Sequence, residues 1–257
     1  GDDGKINIIS SSGGTVDSIR SRQGSVVALA WLKVGHPRDF KMILSAGSDG
    51  TVKLWRAAEG RSFRLAQSVT VSESAIEEMD LHGFKLAVVG KGGIFLFDIR
   101  PLATNVFEPA HCSLKGVVRG KIQTDQGKIR SVRFINNGQA VLVGLFNNVL
   151  LAWDLPTNRL LFRHQIETRI GNMDWNEEGR LLAVWNMDDG VDLYKIEGTF
   201  VPIPEKIPLK IERNFVIQVR FVDSETLVVG SDNGQVLVVN ASTRAVVRKL
   251  NHEAFSK

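Results

Sequence analysis

The stretch Met42-Ile43-Leu44-Ser45-Ala46-Gly47-Ser48-Asp49-Gly50-Thr51-Val52-Lys53-Leu54-Trp55 decides the fold. An apolar run enters a Ser-Asp-Gly turn. An alternating run leaves it and ends on a bulky side chain. Asp-Gly and Asn-Gly pairs sit at tight hairpins because they tolerate positive φ with little strain. The stretch therefore predicts two antiparallel strands joined by a short turn. The turn recurs along the chain as Asp2-Asp3-Gly4, Lys91-Gly92-Gly93, Asn147-Asn148, Asp188-Asp189-Gly190 and Asp232-Asn233-Gly234. Counted at the last residue of each turn, the spacings are 46, 43, 55, 42 and 44. Four of the five lie close to the period of about 40–45 residues expected of a repeat made of four short strands.

The flanks repeat as well. Leu86 to Val89, Val141 to Val143, Leu181 to Val184 and Leu227 to Val229 precede their turns, as Met42 to Leu44 does. Ile94 to Phe97, Leu150 to Trp153, Val191 to Tyr194 and Val236 to Val239 follow them. A further strand lies upstream in each unit: Val26 to Trp31, Ile76 to Leu81, Ile129 to Phe134, Ile170 to Trp175 and Val216 to Phe221. A more polar fourth strand closes each unit, as at Leu160 to Gln165 and Ala245 to Leu250. The period is two throughout, with no helical period. The expected fold is all-β. One domain spans 1–257, with a half unit at 1–22 and full units at 25–72, 75–125, 128–169, 170–213 and 215–250.

Composition agrees with a globular chain. Of 257 residues, 43% are hydrophobic and 23% charged, and the formal net charge is +4. That apolar content and low net charge exclude disorder as the main state. A single cysteine, Cys112, excludes a disulfide scaffold. No run approaches the 18 apolar residues of a membrane-spanning helix, so no membrane partner is expected. With no secretory signal in view, an intracellular location is expected, in the cytoplasm or the nucleus.

On these residues the chain resembles the WD40-repeat β-propellers. Trp153-Asp154 stands at the end of a third strand, where the family's name-giving dipeptide sits, and Phe97-Asp98 occupies the same place with Phe for Trp. Ser45, Asp49 and Trp55 match the Ser/Thr, the turn Asp and the Trp of the family's buried hydrogen-bond network. Asp188 or Asp189, and Asp232, are candidates for the turn role in later units. The pattern is similar to fungal WD-repeat proteins without an assigned role. The family's Gly-His pair before the first strand is nearly absent: Ser21-Arg22 and Asp125-Gln126-Gly127 stand there, and Gly35-His36 falls in a loop. The full His–Ser–Asp–Trp tetrad is therefore not expected in any unit. The resemblance implies blades of four antiparallel strands, five full and one half. Such a count is not a whole number of blades. It predicts part of a seven-bladed ring lacking about one and a half blades, with an open arc of six units as the other reading. Trp31, Trp55, Trp153 and Trp175 are expected in the packing between blades. Trp185 lies close to a turn, so alternation leaves its burial open.

Candidate chemistry is sparse. The five histidines never fall at metal-ligand spacing and Cys112 stands alone, so no metal site is expected. Gly90-Lys91-Gly92-Gly93 lacks the phosphate-loop frame and a following helix. Glu77, Glu78 and Asp80 form an acidic group on a first strand, where alternation puts one or more on a solvated face. Asn240-Ala241-Ser242 fits a glycosylation acceptor without a signal to support it. No enzyme activity, cofactor or small-molecule substrate is expected. The second unit is about ten residues longer than its neighbours, and its excess, Pro101 to Gln123, carries Phe107, His111, Lys115, Arg119 and Lys121 as candidate binding residues. The family resemblance implies a non-catalytic scaffold for protein partners. The alternative is a nucleic-acid or phospho-ligand module using the basic segment 115–133, with Lys128, Arg130 and Arg133 beside the loop cations. Arg244, Arg248 and Lys249 form a second basic group.

Overall fold

A computed structural model describes residues 2–33, 40–58, 60–91, 93–100, 107–109, 128–196, 200–210, 212 and 215–251. The described residues form twenty-two strands and no helix, so none is long and apolar enough to cross a membrane. The chain divides into two compact units, Gly1–Asp125 and Gln126–Lys257.

In the first unit, β1 (Lys5–Ile9) and β2 (Thr15–Arg20) form a two-stranded sheet. β3 (Val26–Leu32), β4 (Phe40–Gly47), β5 (Thr51–Ala58) and β6 (Arg64–Thr70) form the first four-stranded blade. β7 (Ile76–His82), β8 (Lys85–Gly90), β9 (Gly93–Ile99) and β10 (Phe107–Pro109) form the second. In the second unit the blades are β11 (Ile129–Ile135) to β14 (Arg159–Gln165), β15 (Asn172–Asn176) to β18 (Phe200–Pro208), and β19 (Val219–Phe221) to β22 (Val246–Asn251). Their inner members are β12 (Ala140–Leu145), β13 (Val149–Asp154), β16 (Leu181–Trp185), β17 (Gly190–Ile196), β20 (Thr226–Gly230) and β21 (Gln235–Asn240). Every pairing is antiparallel between consecutive strands. This is the expected all-β architecture of five full blades and a half.

Burial grades across each blade. β12 is buried along its whole length, whereas β14 and β22 are largely exposed. A four-stranded sheet cannot bury both faces alone, so within each unit neighbouring blades pack face to face. Ala28, Met42, Leu44 and Leu54 of the first blade share a core with Met79, Leu86, Val88 and Phe95 of the second. Leu142, Leu150 and Ala152 meet Met173, Leu182 and Val184 in the same way. Ala183, Trp185 and Leu193 meet Val219, Leu227 and Val229. The β1–β2 sheet places Ile6 and Ile19 on Ile43 and Trp55.

The tryptophans divide differently from the sequence expectation. Trp55 and Trp153 are buried, and Trp175 is half-buried. Trp185 is fully buried and its indole N–H donates to the Phe215 carbonyl at 3.2 Å. Trp31, expected between blades, is 52% exposed. It lies opposite Ile43, on the face that looks toward the β1–β2 sheet. That sheet reaches Ile43 on β4 and Trp55 on β5, and Trp31 is left with an edge contact to Phe63 at 6.1 Å.

Candidate functional site

Each blade has a turn between its second and third strands, and these turns carry several of the residues singled out in the sequence. In the first blade the turn is fixed from two sides. Gly50 sits at φ +80°, and a Cβ there would fall 1.9 Å from the Ser72 carbonyl oxygen, so only glycine fits. Asp49 Oδ1 accepts from Thr51 N at 2.9 Å and from Thr51 Oγ1 at 2.8 Å.

A buried network lies beneath this turn. Trp55 Nε1 donates to Ser45 Oγ at 2.8 Å, and Ser45 Oγ donates to Gln23 Oε1. Gln23 Nε2 donates to the Thr51 carbonyl at 2.9 Å and lies 3.1 Å from Thr51 Oγ1. Gln23 is completely buried. A glutamine in the segment before β3 thus takes the place where the sequence expectation found no histidine. Its amide both accepts and donates, which is what a link between a hydroxyl and a carbonyl requires. Ser45 and Trp55 come together as expected from their positions. Asp49 makes no direct side-chain bond to Ser45 or Trp55; it meets the network through the Thr51 hydroxyl, from which it accepts, and its own N–H donates to the Gln23 carbonyl at 3.2 Å. Gln23 lies three positions before β3, in the polar segment Ser21 to Ser25, where no periodicity singles it out.

Trp153 and Asp154 do different work. Trp153 packs in the interior, and Asp154 accepts from Thr157 N at 2.8 Å and from the Thr157 hydroxyl, which closes the turn after β13. Those Thr157 donors, the hydroxyl first, hold the Asp154 carboxyl below the usual carboxylate range. In the fourth blade Asn186 organises the turn: its Oδ1 accepts the backbone N–H groups of Asp188, Asp189 and Gly190. Asp189 is held low first by Lys206, at 2.7 Å, and next by the Asn186 amide. Asp232 accepts from the backbone N–H of Glu212.

A second network crosses between blades. Equivalent positions on the first strands carry Arg133, Asp174 and Arg220, on β11, β15 and β19. Asp174 Oδ1 accepts from Arg133 Nε and from Arg220 Nη1, the latter at 3.0 Å, while Asp174 Oδ2 accepts from Phe221 N at 2.7 Å. Arg133 is 2% exposed. This removes Arg133 from the basic segment proposed for nucleic acid, because burial and the Asp174 carboxylate hold its charge inside the scaffold.

The candidate binding residues of the insertion fare unevenly. Phe107 is 4% exposed and packs edge-on against Phe97 at 6.2 Å, so it is core and not a recognition residue. It is apolar and pairs opposite Ile99, so β10 turns it inward. His111, Lys115, Arg119 and Lys121 lie outside the described residues. Among the described residues no group of three or more His, Cys, Asp or Glu is placed to hold a metal ion.

Residues 15–56 match the family described as "WD domain, G-beta repeat". No curated protein matches the chain. Among solved structures, the Myceliophteria thermophila Cps50 (Swd1) beta-propeller domain superposes with a TM-score of 0.70 at 17% identity, covering 97% of this chain and 81% of that one. The chain therefore has the WD40-type β-propeller fold, and the stretch that matches the family's repeat is the one that holds Gln23, Ser45 and Trp55.

Proposed function

We propose that the chain is a non-catalytic scaffold that binds protein partners through side chains on its blade turns. One observation carries this reading. The buried polar groups described above bind one another or the backbone, and so they hold the scaffold. The side chains left at the rim stand on short turns fixed by hydrogen bonds. Rigid sheets that present loop side chains suit recognition, because little order is lost when a partner docks. WD40 propellers generally act as protein-interaction scaffolds, which supports the reading by likeness of fold.

The test is capture of partners by the tagged chain from a lysate of the organism that encodes it, with crosslinking to map the contact. Reproducible partners crosslinked to the turns between second and third strands support the proposal. Failure to retain any protein above a tag-only control overturns it.

A further inference from the structure

In the first and fourth blades the turn between second and third strands contains a glycine whose N–H is used. Gly50 N donates to the Gly47 carbonyl at 3.2 Å, and Gly190 N donates to Asn186 Oδ1 at 3.1 Å. The last blade carries Asp232-Asn233-Gly234 at this place. Among the described residues the Gly234 N–H has no hydrogen-bond acceptor. Gly234 sits at φ +79°, and Asn233 before it is exposed. An Asn followed by Gly holds an electrophile and a nucleophile side by side. The side-chain amide carbon and the next backbone nitrogen can close a cyclic imide, and glycine has no Cβ to obstruct the approach.

The Asn233 side chain is set for that closure. Its Oδ1 accepts the N–H of Gln235 at 3.2 Å, which draws the side chain back over the Gly234 backbone. The Ser231 hydroxyl lies 2.6 Å from the same oxygen and 2.7 Å from the Gln235 carbonyl, and its one proton serves both acceptors. Negative charge grows on Oδ1 when the amide carbon is attacked, and donors already placed at that oxygen stabilise it. The chain's other Asn-Gly pair is Asn137-Gly138, and Asn137 is exposed as well. Its turn is arranged differently. Asn136 and Asn137 sit at φ +51° and +53°, and Gly138 at +74°. The N–H two residues on, that of Gln139, donates to the Asn136 carbonyl at 3.1 Å. Among the described residues no hydrogen bond holds the Asn137 side chain over its glycine.

We infer that Asn233 is a site of spontaneous deamidation, selected over Asn137 by the structure of its turn. The Gly234 nitrogen gives its proton to solvent and bonds to the Asn233 side-chain amide carbon. The bond from that carbon to Nδ2 breaks, and Nδ2 leaves as ammonia with a proton taken from water. Water then opens the imide at either carbonyl. Opening at the side-chain carbonyl leaves aspartate, and opening at the main-chain carbonyl leaves isoaspartate. The sum is amide plus water giving carboxylate plus ammonium, with no oxidant or reductant. The product places a new negative charge next to Asp232. In the isoaspartyl form it also lengthens the main chain by a methylene group, inside the turn that joins the paired residues Gly230 and Val236. This chemistry holds whether or not the chain binds protein partners.

The test incubates the full folded chain in mildly alkaline buffer made with heavy-oxygen water. Proteolysis and mass spectrometry then follow the Asn233 and Asn137 peptides, with fragmentation that separates aspartate from isoaspartate. The Asn233 peptide is expected to take up heavy oxygen several-fold faster than the Asn137 peptide and to give both products. Its rate should rise with pH, because the attacking nitrogen must lose its proton. In concentrated urea the two Asn-Gly pairs should react at similar rates, which assigns the difference to the folded turns. A folded chain in which Asn137 reacts as fast as Asn233 overturns the inference. So does a folded chain in which Asn233 stays intact while the urea sample reacts. Aspartate formed at Asn233 with no isoaspartate overturns it too, since direct hydrolysis of the side-chain amide passes through no imide.

Discussion

Two buried polar networks hold this chain, and they differ in charge and in span. In the first unit, Gln23, Ser45 and Trp55 form a neutral chain that ties the incoming segment to the second and third strands of one blade. In the second unit, Arg133, Asp174 and Arg220 form an ionic chain across the first strands of three successive blades. The neutral network fixes a blade internally, while the ionic one fixes blades to each other. The two have different sensitivities. A neutral link loses about one net hydrogen bond and the desolvation of a group when a partner is removed. A buried ion pair with one partner removed leaves charge in a low-dielectric interior.

The comparison breaks most readily at Asp174. Asp174→Ala removes the carboxylate shared by two guanidinium groups and by the Phe221 amide. A loss of about 3–5 kcal/mol in unfolding free energy is expected, read from the urea midpoint at constant slope. Asp174→Asn keeps an acceptor for the Phe221 amide but not the charge, and should fall between the parent and Asp174→Ala. If Asp174→Ala costs less than about 1 kcal/mol, the ionic chain does not hold the blades and the contrast with the first unit disappears.

Tyr194 sharpens the contrast through pH. It is the chain's one tyrosine, so absorbance at 295 nm reports it directly. Burial, and secondarily the nearby Asp192, push its hydroxyl up to about 12. The folded state then keeps the proton that the unfolded state releases near its ordinary value of about 10. Stability from this group is complete below about pH 10 and is lost progressively as pH rises toward 12, by roughly 2–3 kcal/mol. Tyr194→Phe should flatten that alkaline fall. A tyrosine absorbance midpoint near 10 in the folded chain would show that this part of the second unit is wet, and the prediction would fail.

Gln23 is the corresponding test in the first unit, with a smaller effect. Gln23→Ala leaves the Ser45 hydroxyl and the Thr51 carbonyl without their shared partner, and a loss of about 1–3 kcal/mol is expected in urea unfolding. A neutral amide has no titration between pH 5 and 8, so this contribution should be the same across that range. Gln23→His, which puts the family's usual residue at this place, should make the first unit's stability depend on pH near 6.5. A parent chain whose Gln23 contribution varies with pH would contradict a neutral network.

The period of the turns made the blades legible. Each turn fixes two strands, and a spacing near 44 leaves room for two more. The site was legible in part, for physical reasons. Ser45 and Trp55 stand on strands of known register, so their meeting follows from the pairing of Ile43 with Trp55 and Ser45 with Lys53. Gln23 lies in a connecting segment, where no period places a side chain. Asp49 meets the network only through the Thr51 hydroxyl, a side-chain link that strand register does not show. Arg133 reads as surface charge in sequence because its partner, Asp174, lies one repeat away. Phe107 reads as a loop residue because the three-residue strand that buries it is too short to show alternation.

The smallest effect separates two tryptophans that sequence alternation ranked in the wrong order. Trp185 is fully enclosed by Val219, Leu227 and neighbouring apolar residues, and its N–H is bonded. Trp31 sits on a face where the facing sheet is two strands wide and packs with Ile43 of β4, Trp55 of β5 and Val26 at the start of β3, but not with Trp31. Alternation names the face of a strand, but burial needs a second sheet opposite that face. Trp31→Ser should therefore change the unfolding free energy by no more than about 0.5 kcal/mol, as for an ordinary surface position. Trp185→Ala, by comparison, should cost about 3–5 kcal/mol. Acrylamide quenching gives an independent reading, because Trp31→Ser should remove a readily quenched fraction of the emission and leave the protected fraction unchanged. A loss of several kcal/mol in Trp31→Ser would mean that β3 is covered in solution and that the half-width sheet is not what faces it.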